Sequence, residues 1–287
     1  MQNIGIYPNL KKEIVRENLS QVVKLALGAG LTPFLPQEIA ADFGTRAYIP
    51  GDEESLEGIE AFVSLGGDGT LLRMADLLVR VNMPAFGVNF GRLGFLAEVE
   101  FSGLADAFRM LKKDSYSIEN RAMLKTTVYR EKNLLHKAHA LNDIVVSKGK
   151  VSKMGHYLMR INGKKSVSLA ADGIIVATAT GSTAYSMSAG GPLLHPNVEG
   201  MVITPICPHD LSSSPLVIPL NDVVEIESER DGEELILQAD GKIIGPIQDD
   251  CLVQVEKSRY TMQLLRVLAK NYYDTWQEKL KGEQLVL

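Results

Sequence analysis

The 287-residue chain is 45% hydrophobic and 23% charged, with a formal net charge of -5. This balance excludes a disordered chain and suits one large or two ordinary globular domains. A net-acidic surface also argues against a non-specific electrostatic grip on nucleic acid or an anionic membrane, though local donors can still hold a phosphate.

Met1–Pro8 lacks the basic and apolar regions of a signal peptide and reads as a first strand, Ile4–Tyr7, of a cytoplasmic protein. No apolar run approaches the roughly 20 residues of a spanning helix. Val15, Leu19, Val22 and Ala26 recur at helical spacing, and Gly28 and Gly30 stop that helix. A short apolar run surrounds Phe34. Ala61–Leu65 is the next strand and enters Gly66-Gly67-Asp68-Gly69, after which Leu71, Ala75 and Leu78 mark one helix face. Pro84–Phe90 reads as a strand and Leu104–Lys112 as a helix. Strands alternating with helices predict a mostly parallel sheet covered on both faces.

From about Ser117 the period changes. Met123–Arg130, His139–Ser147 and Tyr157–Ile161 are strand-like, and Asn162-Gly163 predicts a hairpin into Lys165–Leu169. Val223–Glu229 and Leu235–Gln238 repeat that arrangement around Asp231-Gly232, and helical spacing returns at Tyr272–Leu280. The second half is therefore predominantly β, as packed sheets. Cys207 and Cys251 have no metal-type spacing and read as buried reduced thiols, and no His or Cys cluster points to a protein-built metal cage.

Gly66–Thr70 lies between a strand and a helix, at the carboxyl end of a strand where α/β sheets bind ligands. Glycines let a phosphate approach backbone amides. Asp68 among them repels phosphate but is suited to accept a proton from an attacking hydroxyl or to hold a metal ion. A tight turn with an acid at a helix start accounts for the same residues. Neither G-x-x-x-x-G-K-[ST] nor G-x-G-x-x-G after the first strand is present, which counts against a P-loop enzyme and a dehydrogenase.

Asn142-Asp143 precedes a β-branched run; the pair can bind ribose hydroxyls or a base, but taken alone an Asx turn leading into a strand is the better explanation. Asp172 opens an apolar strand that runs into Thr178–Ser186 and Ser188–Pro192, rich in glycine and hydroxyls. That composition makes a poor helix interior and fits a wall for a flat ring and a sugar, with Tyr185 as its apolar face.

Gly66-Gly67-Asp68-Gly69-Thr70-Leu71-Leu72, Asn142-Asp143 and the Thr180–Gly191 run, in that order, resemble the ATP-NAD kinase family. Gly91-Arg92-Leu93-Gly94-Phe95-Leu96 and Thr204–His209 are similar to it as well, so the likeness covers nearly the whole chain. The glycine turn alone is shared with diacylglycerol and sphingosine kinases and phosphofructokinases. A membrane lipid kinase is disfavoured because the chain has no basic amphipathic helix or lipid anchor signal. An NAD(H)-sensing protein without activity would be expected to lack Asp68.

The resemblance implies an N-terminal Rossmann-like α/β domain, residues 1–116, and a β-sandwich-like NAD-binding domain, residues 117–265, with the active site between them. Residues 266–287 would return to the first domain. The implied activity is ATP-dependent phosphorylation of the 2′-hydroxyl of the adenosine ribose of NAD to give NADP. Asp68 would be catalytic, Gly69 would allow close backbone approach and Arg73 would meet phosphates. Asn142, Asp143 and Asp172 would bind NAD with Thr183, Ala184, Tyr185, Ser186, Met187 and Ser188. Lys153, Ala170 and Lys242 stand at further contact positions, although Ala170 replaces an arginine of some relatives. His209 lies in a family-like segment that a structural histidine explains as well. Mg²⁺ or another divalent cation would accompany the nucleotide, and the family implies a homodimer or homotetramer.

Overall fold

The computed structural model describes residues 1–91, 94–97, 99–149, 154–210, 213–229, 234–248, 250–268 and 271–280. The chain divides into two compact units, Met1–Asn120 with Met262–Leu287, and Arg121–Thr261.

The first unit runs β1 (Asn3–Pro8), α1 (Glu13–Gly28), β2 (Thr32–Pro36), α2 (Gln37–Ala40), β3 (Arg46–Tyr48), β4 (Ala61–Leu65), α3 (Asp68–Arg80), β5 (Ala85–Asn89), β6 (Val99–Glu100) and α4 (Leu104–Lys112). Its strands lie in the order β3-β2-β1-β4-β5-β6, all neighbours parallel. Every residue of β4 and β5 is buried, as expected of central parallel strands covered on both faces. Val15, Leu19, Val22 and Ala26 of α1 and Leu104, Phe108 and Leu111 of α4 share one core with Ile4, Val63 and Val88 of the sheet. The helical spacing read from the sequence is thus the buried stripe, and α1 is followed by Gly30 at φ 77°, where a left-handed residue is needed.

The second unit contains β7 (Ser117–Arg130, from Arg121), β8 (Asn133–Ala140), β9 (Asp143–Lys148), β10 (Gly155–Ile161), β11 (Lys164–Ala171) and β12 (Gly173–Thr178). Next come α5 (Tyr185–Ser188), β13 (Gly200–Ile206), β14 (Leu216–Pro219), β15 (Val224–Ser228), β16 (Leu235–Ala239), β17 (Lys242–Ile247) and β18 (Cys251–Arg266). One sheet orders β11-β10-β15-β18-β7-β8, the other β14-β13-β12-β9-β16-β17. Alternating residues of both sheets, among them Val128, Tyr157, Ile226 and Val253 against Val146, Val176, Ile203 and Leu237, form a single core. This is the sandwich expected from the period-two pattern. From Met262 the end of β18 belongs to the first unit, pairing Leu264 with Ala85, and α6 (Tyr272–Leu280) follows it there. No described helix is long and apolar enough to cross a membrane.

The Asn162-Gly163 hairpin forms, with φ of 50° and 75°. Three readings need correction. His139–Ser147 is two strands, not one: β8 ends at Ala140 and β9 starts at Asp143, each in a different sheet. The Asp231-Gly232 turn lies outside the described residues, and the strands flanking it do not form a hairpin. β15 pairs with β10 and β18, whereas β16 pairs with β9 and β17. Alternation marks both as half-buried strands but is blind to which sheet each joins. Cys251 is buried, whereas Cys207 is exposed, at φ 45° just after β13.

Leu237 is fully buried at the centre of the sandwich. Leu237→Ala should destabilise the fold by about 2–5 kcal/mol through lost burial and a residual cavity. Urea unfolding followed by circular dichroism measures it, and an unchanged midpoint would contradict the assigned core.

Candidate active site

Strand order in the first unit reverses at β1 and β4: the chain leaves β1 towards β2 and β4 towards β5. Loops at the carboxyl ends of two such strands diverge and leave a crevice. There the Asn9 N–H donates to the Leu65 carbonyl (2.9 Å), and the Lys12 ammonium donates to the Gly66 carbonyl. Gly66 and Gly67 take φ of 140° and 103°, and a Cβ on Gly66 would lie 2.6 Å from Thr70 Oγ1. Glycine is required at this turn on both counts. A cleft of about 400 Å³ opens here, lined by Lys12, Gly67, Asp68, Asn89, Gly94 and Lys279 among others.

Asp68 is the first residue of α3 and is half-buried. Its Oδ2 accepts the Phe95 N–H (2.8 Å), and its Oδ1 accepts those of Leu96 (3.2 Å) and Ala97 (2.8 Å). The loop comes so close that a Cβ on Gly94 would sit 1.9 Å from Oδ1. A carboxylate offers about four lone-pair sites, so these bonds fix its orientation and leave one acceptor site, on Oδ2. The loop is itself anchored: the Phe95 ring stands 6.4 Å from that of Tyr272, and the Lys279 ammonium lies 5.3 Å from its centroid. Gly69 is exposed, and a Cβ there would meet nothing within 4 Å. Arg73 is exposed one turn along α3, its guanidinium 3.4 Å from Thr70 Oγ1.

In the second unit Leu141 and Asn142 bridge β8 and β9. The carboxylate of Asp240, at the tip of the β16–β17 hairpin, accepts the N–H groups of Leu141 (2.8 Å), Asn142 (2.7 Å) and Asp143 (3.2 Å). On the other side the Asn142 carbonyl accepts the Thr178 N–H (2.8 Å), and Thr178 Oγ1 donates to the Leu141 carbonyl (2.6 Å). A Cβ on Gly181 would stand 2.0 Å from the Asn142 carbonyl oxygen, so the hydroxyl-rich run can pass only as glycine. The Asp143 carboxyl accepts the backbone N–H of Tyr185. Asn142, Asp143 and the start of α5 are thereby brought together. Burial pushes the Asp143 carboxyl up to about 7, and the neighbouring Asp240 charge adds to the rise. Burial raises Asp240 as well, opposed by its three amide bonds.

The Thr180–Gly191 run is not a featureless loop but a 3₁₀ turn, Gly181–Thr183, followed by the single turn of α5. Its side chains divide. Tyr185 and Ser188 are exposed, and Ala184 and Met187 are half-buried. Thr183 donates to the Thr180 carbonyl (3.1 Å), and the fully buried Ser186 hydroxyl is paired with that of Thr204 (2.8 Å). Lys242 is exposed just after Asp240-Gly241, at the Asn142 end of its sheet. Asp172 is not part of that cluster. It precedes β12, whose Gly173 pairs with Ser147 and whose Ala177 pairs with Asp143, and it forms an ion pair with Lys148 (2.7 Å). Asp172 thus stands about 20 Å along the strand from Thr178. Ala170 lies near that far end, its carbonyl accepting the His209 N–H (2.9 Å). Lys153 falls outside the described residues.

Sequence reasoning passed over four residues of these two sites. Asp240-Gly241 is a hairpin dipeptide between alternating runs and was legible on the same grounds as Asn162-Gly163. Lys12 and Asn89 follow or end strands whose carboxyl ends form the crevice. No sequence signal marks Lys279.

Residues 12–116 match the model of the ATP-NAD kinase N-terminal domain, and residues 141–267 match that of the ATP-NAD kinase C-terminal domain. The chain belongs to the ATP-NAD kinase family. It is 36% identical over 280 residues to the NAD kinase of Caldanaerobacter subterraneus subsp. tengcongensis, covering 98% of this chain and 99% of that protein. Identity to the NAD kinase of Moorella thermoacetica is 38% over 281 residues, covering 98% and 90%. An NAD kinase from Archaeoglobus fulgidus, solved in complex with ATP, superposes with a TM-score of 0.73 at 25% identity, over 97% of this chain and 98% of that one. Yeast NADH kinase, solved with NADH, shares the fold with a TM-score of 0.87 at 24% identity, over 100% and 89%.

Two predictions follow from the geometry of a family kinase. Gly94→Ala should fold but displace the Asp68 carboxylate, lowering kcat by about 10²-fold, the scale of a 1 Å misplacement. Parent-like turnover would show that the 94–97 loop does not set Asp68. For Asp143, a folded pKa of about 7 against an ordinary 3.8 means the native state holds the proton more tightly. Its contribution to stability is present below about pH 4 and is lost as pH rises towards about 7. Asp143→Asn should flatten the stability profile across that window in chemical denaturation. An identical slope would refute the shift.

Proposed function

We propose that the chain transfers the γ-phosphoryl group of ATP to the 2′-hydroxyl of the adenosine ribose of NAD, with Asp68 as the catalytic residue. The observation that carries this is the single free acceptor site of a carboxylate held by three amides beside a cleft. That site suits one hydroxyl. In the reaction the 2′-oxygen forms a bond to the γ-phosphorus as the bond to the bridging oxygen of ADP breaks, and the proton passes to Asp68 Oδ2.

The first turn of α3 presents backbone amides and the positive end of a helix to the donor phosphates. Neither φ nor packing demands glycine at position 69, which supports close approach of a ligand to its backbone. Lys12 and Lys279 line the same cleft, and Arg73 stands one turn away; their charges offset those of the triphosphate. Among the described residues no group of three His, Cys, Asp or Glu side chains gathers to hold a metal. Mg²⁺ or another divalent cation would arrive on the phosphate oxygens, and the cleft lining offers it the side-chain oxygens of Asp68 and Asn89. When bound, the cation offsets phosphate charge.

Asn142 and Asp143 hold the dinucleotide, with Ala184, Tyr185, Met187 and Ser188 as the accessible part of the wall. A protonated Asp143 donates a hydrogen bond, an ionised one only accepts. The first unit, Met1–Asn120 with Met262–Leu287, serves as the α/β domain and Arg121–Thr261 as the NAD-binding domain, each bound within about five residues of the 1–116, 117–265 and 266–287 expected from the sequence. The family likeness supports a homodimer or homotetramer; Asp172, ion-paired with Lys148 at the far end of β12, is left out of the pocket of Asn142 and Asp143. The substrates are soluble, and the enzyme is assigned to the cytoplasm.

The test is NADP formation from NAD, ATP and Mg²⁺, read with an NADP-specific dehydrogenase. Folded protein that makes none would sink the proposal. Asp68→Asn should retain NAD affinity and lose about 10²–10⁴-fold in kcat. Lys12→Ala and Lys279→Ala should raise KM for ATP and leave KM for NAD unchanged; the reverse pattern would remove both lysines from the donor side.

A further inference from the structure

Asp240 lies outside the motifs on which the family resemblance was read, yet its side chain is committed to two of the residues proposed to hold NAD. It takes φ 48° and is followed by Gly241 at φ 74°, a two-residue hairpin turn in which Asp tolerates the left-handed region. That turn is specified by the Asp-Gly backbone alone. The carboxylate does something else.

The ladder between β9 and β16 ends at the pair Ile144–Ala239. Beyond it, Leu141, Asn142 and Asp143 would present three successive amides with no strand to receive them. The Asp240 carboxylate receives all three, at 2.8, 2.7 and 3.2 Å, while the Asp240 N–H donates to the Asp143 carbonyl at 3.0 Å. Four bonds from one residue therefore clasp the backbone at the point where Asn142 and Asp143 project. Thr178 fixes the carbonyls of Leu141 and Asn142 from the opposite side. With both edges of this peptide segment held, the two side chains have only their own torsions free.

The arrangement carries an electrostatic cost that turn formation does not require. Asp143 is buried and Asp240 half-buried, and the Asp240 charge disfavours ionisation of Asp143. An uncharged acceptor could satisfy one or two amides without that repulsion. Only a carboxylate has lone pairs enough for three amides at once.

We propose that Asp240 is a positioning residue for the dinucleotide: by clasping the amides of Leu141, Asn142 and Asp143 it sets the orientation of Asn142 and Asp143 towards NAD. The inference rests on the proposed role of those two residues in NAD binding. It separates the Asp240 contribution from the chemistry, because Asp240 itself touches no reacting atom.

The test uses the full chain, with initial rates of NADP formation at varied NAD and saturating Mg-ATP, then the converse, and NAD affinity by titration calorimetry. Asp240→Ala should raise both KM and Kd for NAD by about 10–100-fold, the scale of misplaced binding groups, and leave KM for ATP unchanged. Asp240→Asn keeps one acceptor oxygen and should recover most of the affinity, leaving a rise of about threefold to tenfold, as for one lost hydrogen bond. A structural role alone would lower the yield of active protein and apparent kcat without moving KM for NAD or favouring the Asn variant. Unchanged NAD affinity in folded Asp240→Ala would overturn the proposal, and if that variant does not fold, unchanged affinity in Asp240→Asn would do so. If the parent protein makes no NADP, the function reading fails first; if the parent is active and both variants bind NAD normally, only this inference fails.

Discussion

Among the described residues each unit holds a carboxylate that accepts three consecutive backbone N–H groups, and the candidate residues of each unit depend on their own. Asp68 gathers Phe95, Leu96 and Ala97; Asp240 gathers Leu141, Asn142 and Asp143. Backbone amides in partly buried loops must find acceptors, and an irregular segment has no neighbouring strand to supply them. A single carboxylate solves this for three residues at once, with charge-assisted bonds stronger than neutral ones. The result is an irregular segment held as firmly as a ladder would hold it. In the first unit the carboxylate is itself the group proposed to react, whereas in the second it stands behind the two residues proposed to bind the dinucleotide.

Both devices need the chain to come unusually close, and that explains two glycines better than loop flexibility does. Gly94 has no room for a Cβ against Asp68, nor has Gly181 against the Asn142 carbonyl. Gly87, whose Cβ would lie 2.6 Å from that of Ala97, extends the same crowding from β5 to the loop on Asp68. The site is thus set by packing from strands outward: β5 supports the 94–97 loop, and the loop orients the carboxylate. Gly69 is the contrasting case, since the protein leaves open space beside it.

Much of this was legible in the chain itself. The stripe Val15, Leu19, Val22 and Ala26 is the buried face of α1, the apolar run Ala61–Leu65 is a central parallel strand, and Asn162-Gly163 makes its hairpin. The motifs placed Asp68 at the start of a helix and Asn142-Asp143 at the start of a strand. Less was legible where the outcome depended on a distant partner. Val223–Glu229 and Leu235–Gln238 looked like one hairpin and joined different sheets. The Thr180–Gly191 segment looked like one wall, but the Ser186 hydroxyl turns inward to Thr204. Asp172 looked like a member of the same pocket and lies at the opposite end of β12.

The sequence by itself determined which segments are helix or strand, where the glycine turn sits and which family the chain resembles. These follow from local periodicity, φ preferences and ordered motifs, all properties of neighbouring residues. Only the tertiary structure decided that Asp68 is held by a loop 27 to 29 residues further on, that Lys279 from α6 lines its cleft, and that Asp240 clasps residues 97 to 99 positions earlier. The reason is physical. Hydrogen bonds and close approaches between distant segments depend on strand order and on which carbonyls, amides and carboxylates the folded sheets leave unpaired, and no local pattern encodes either.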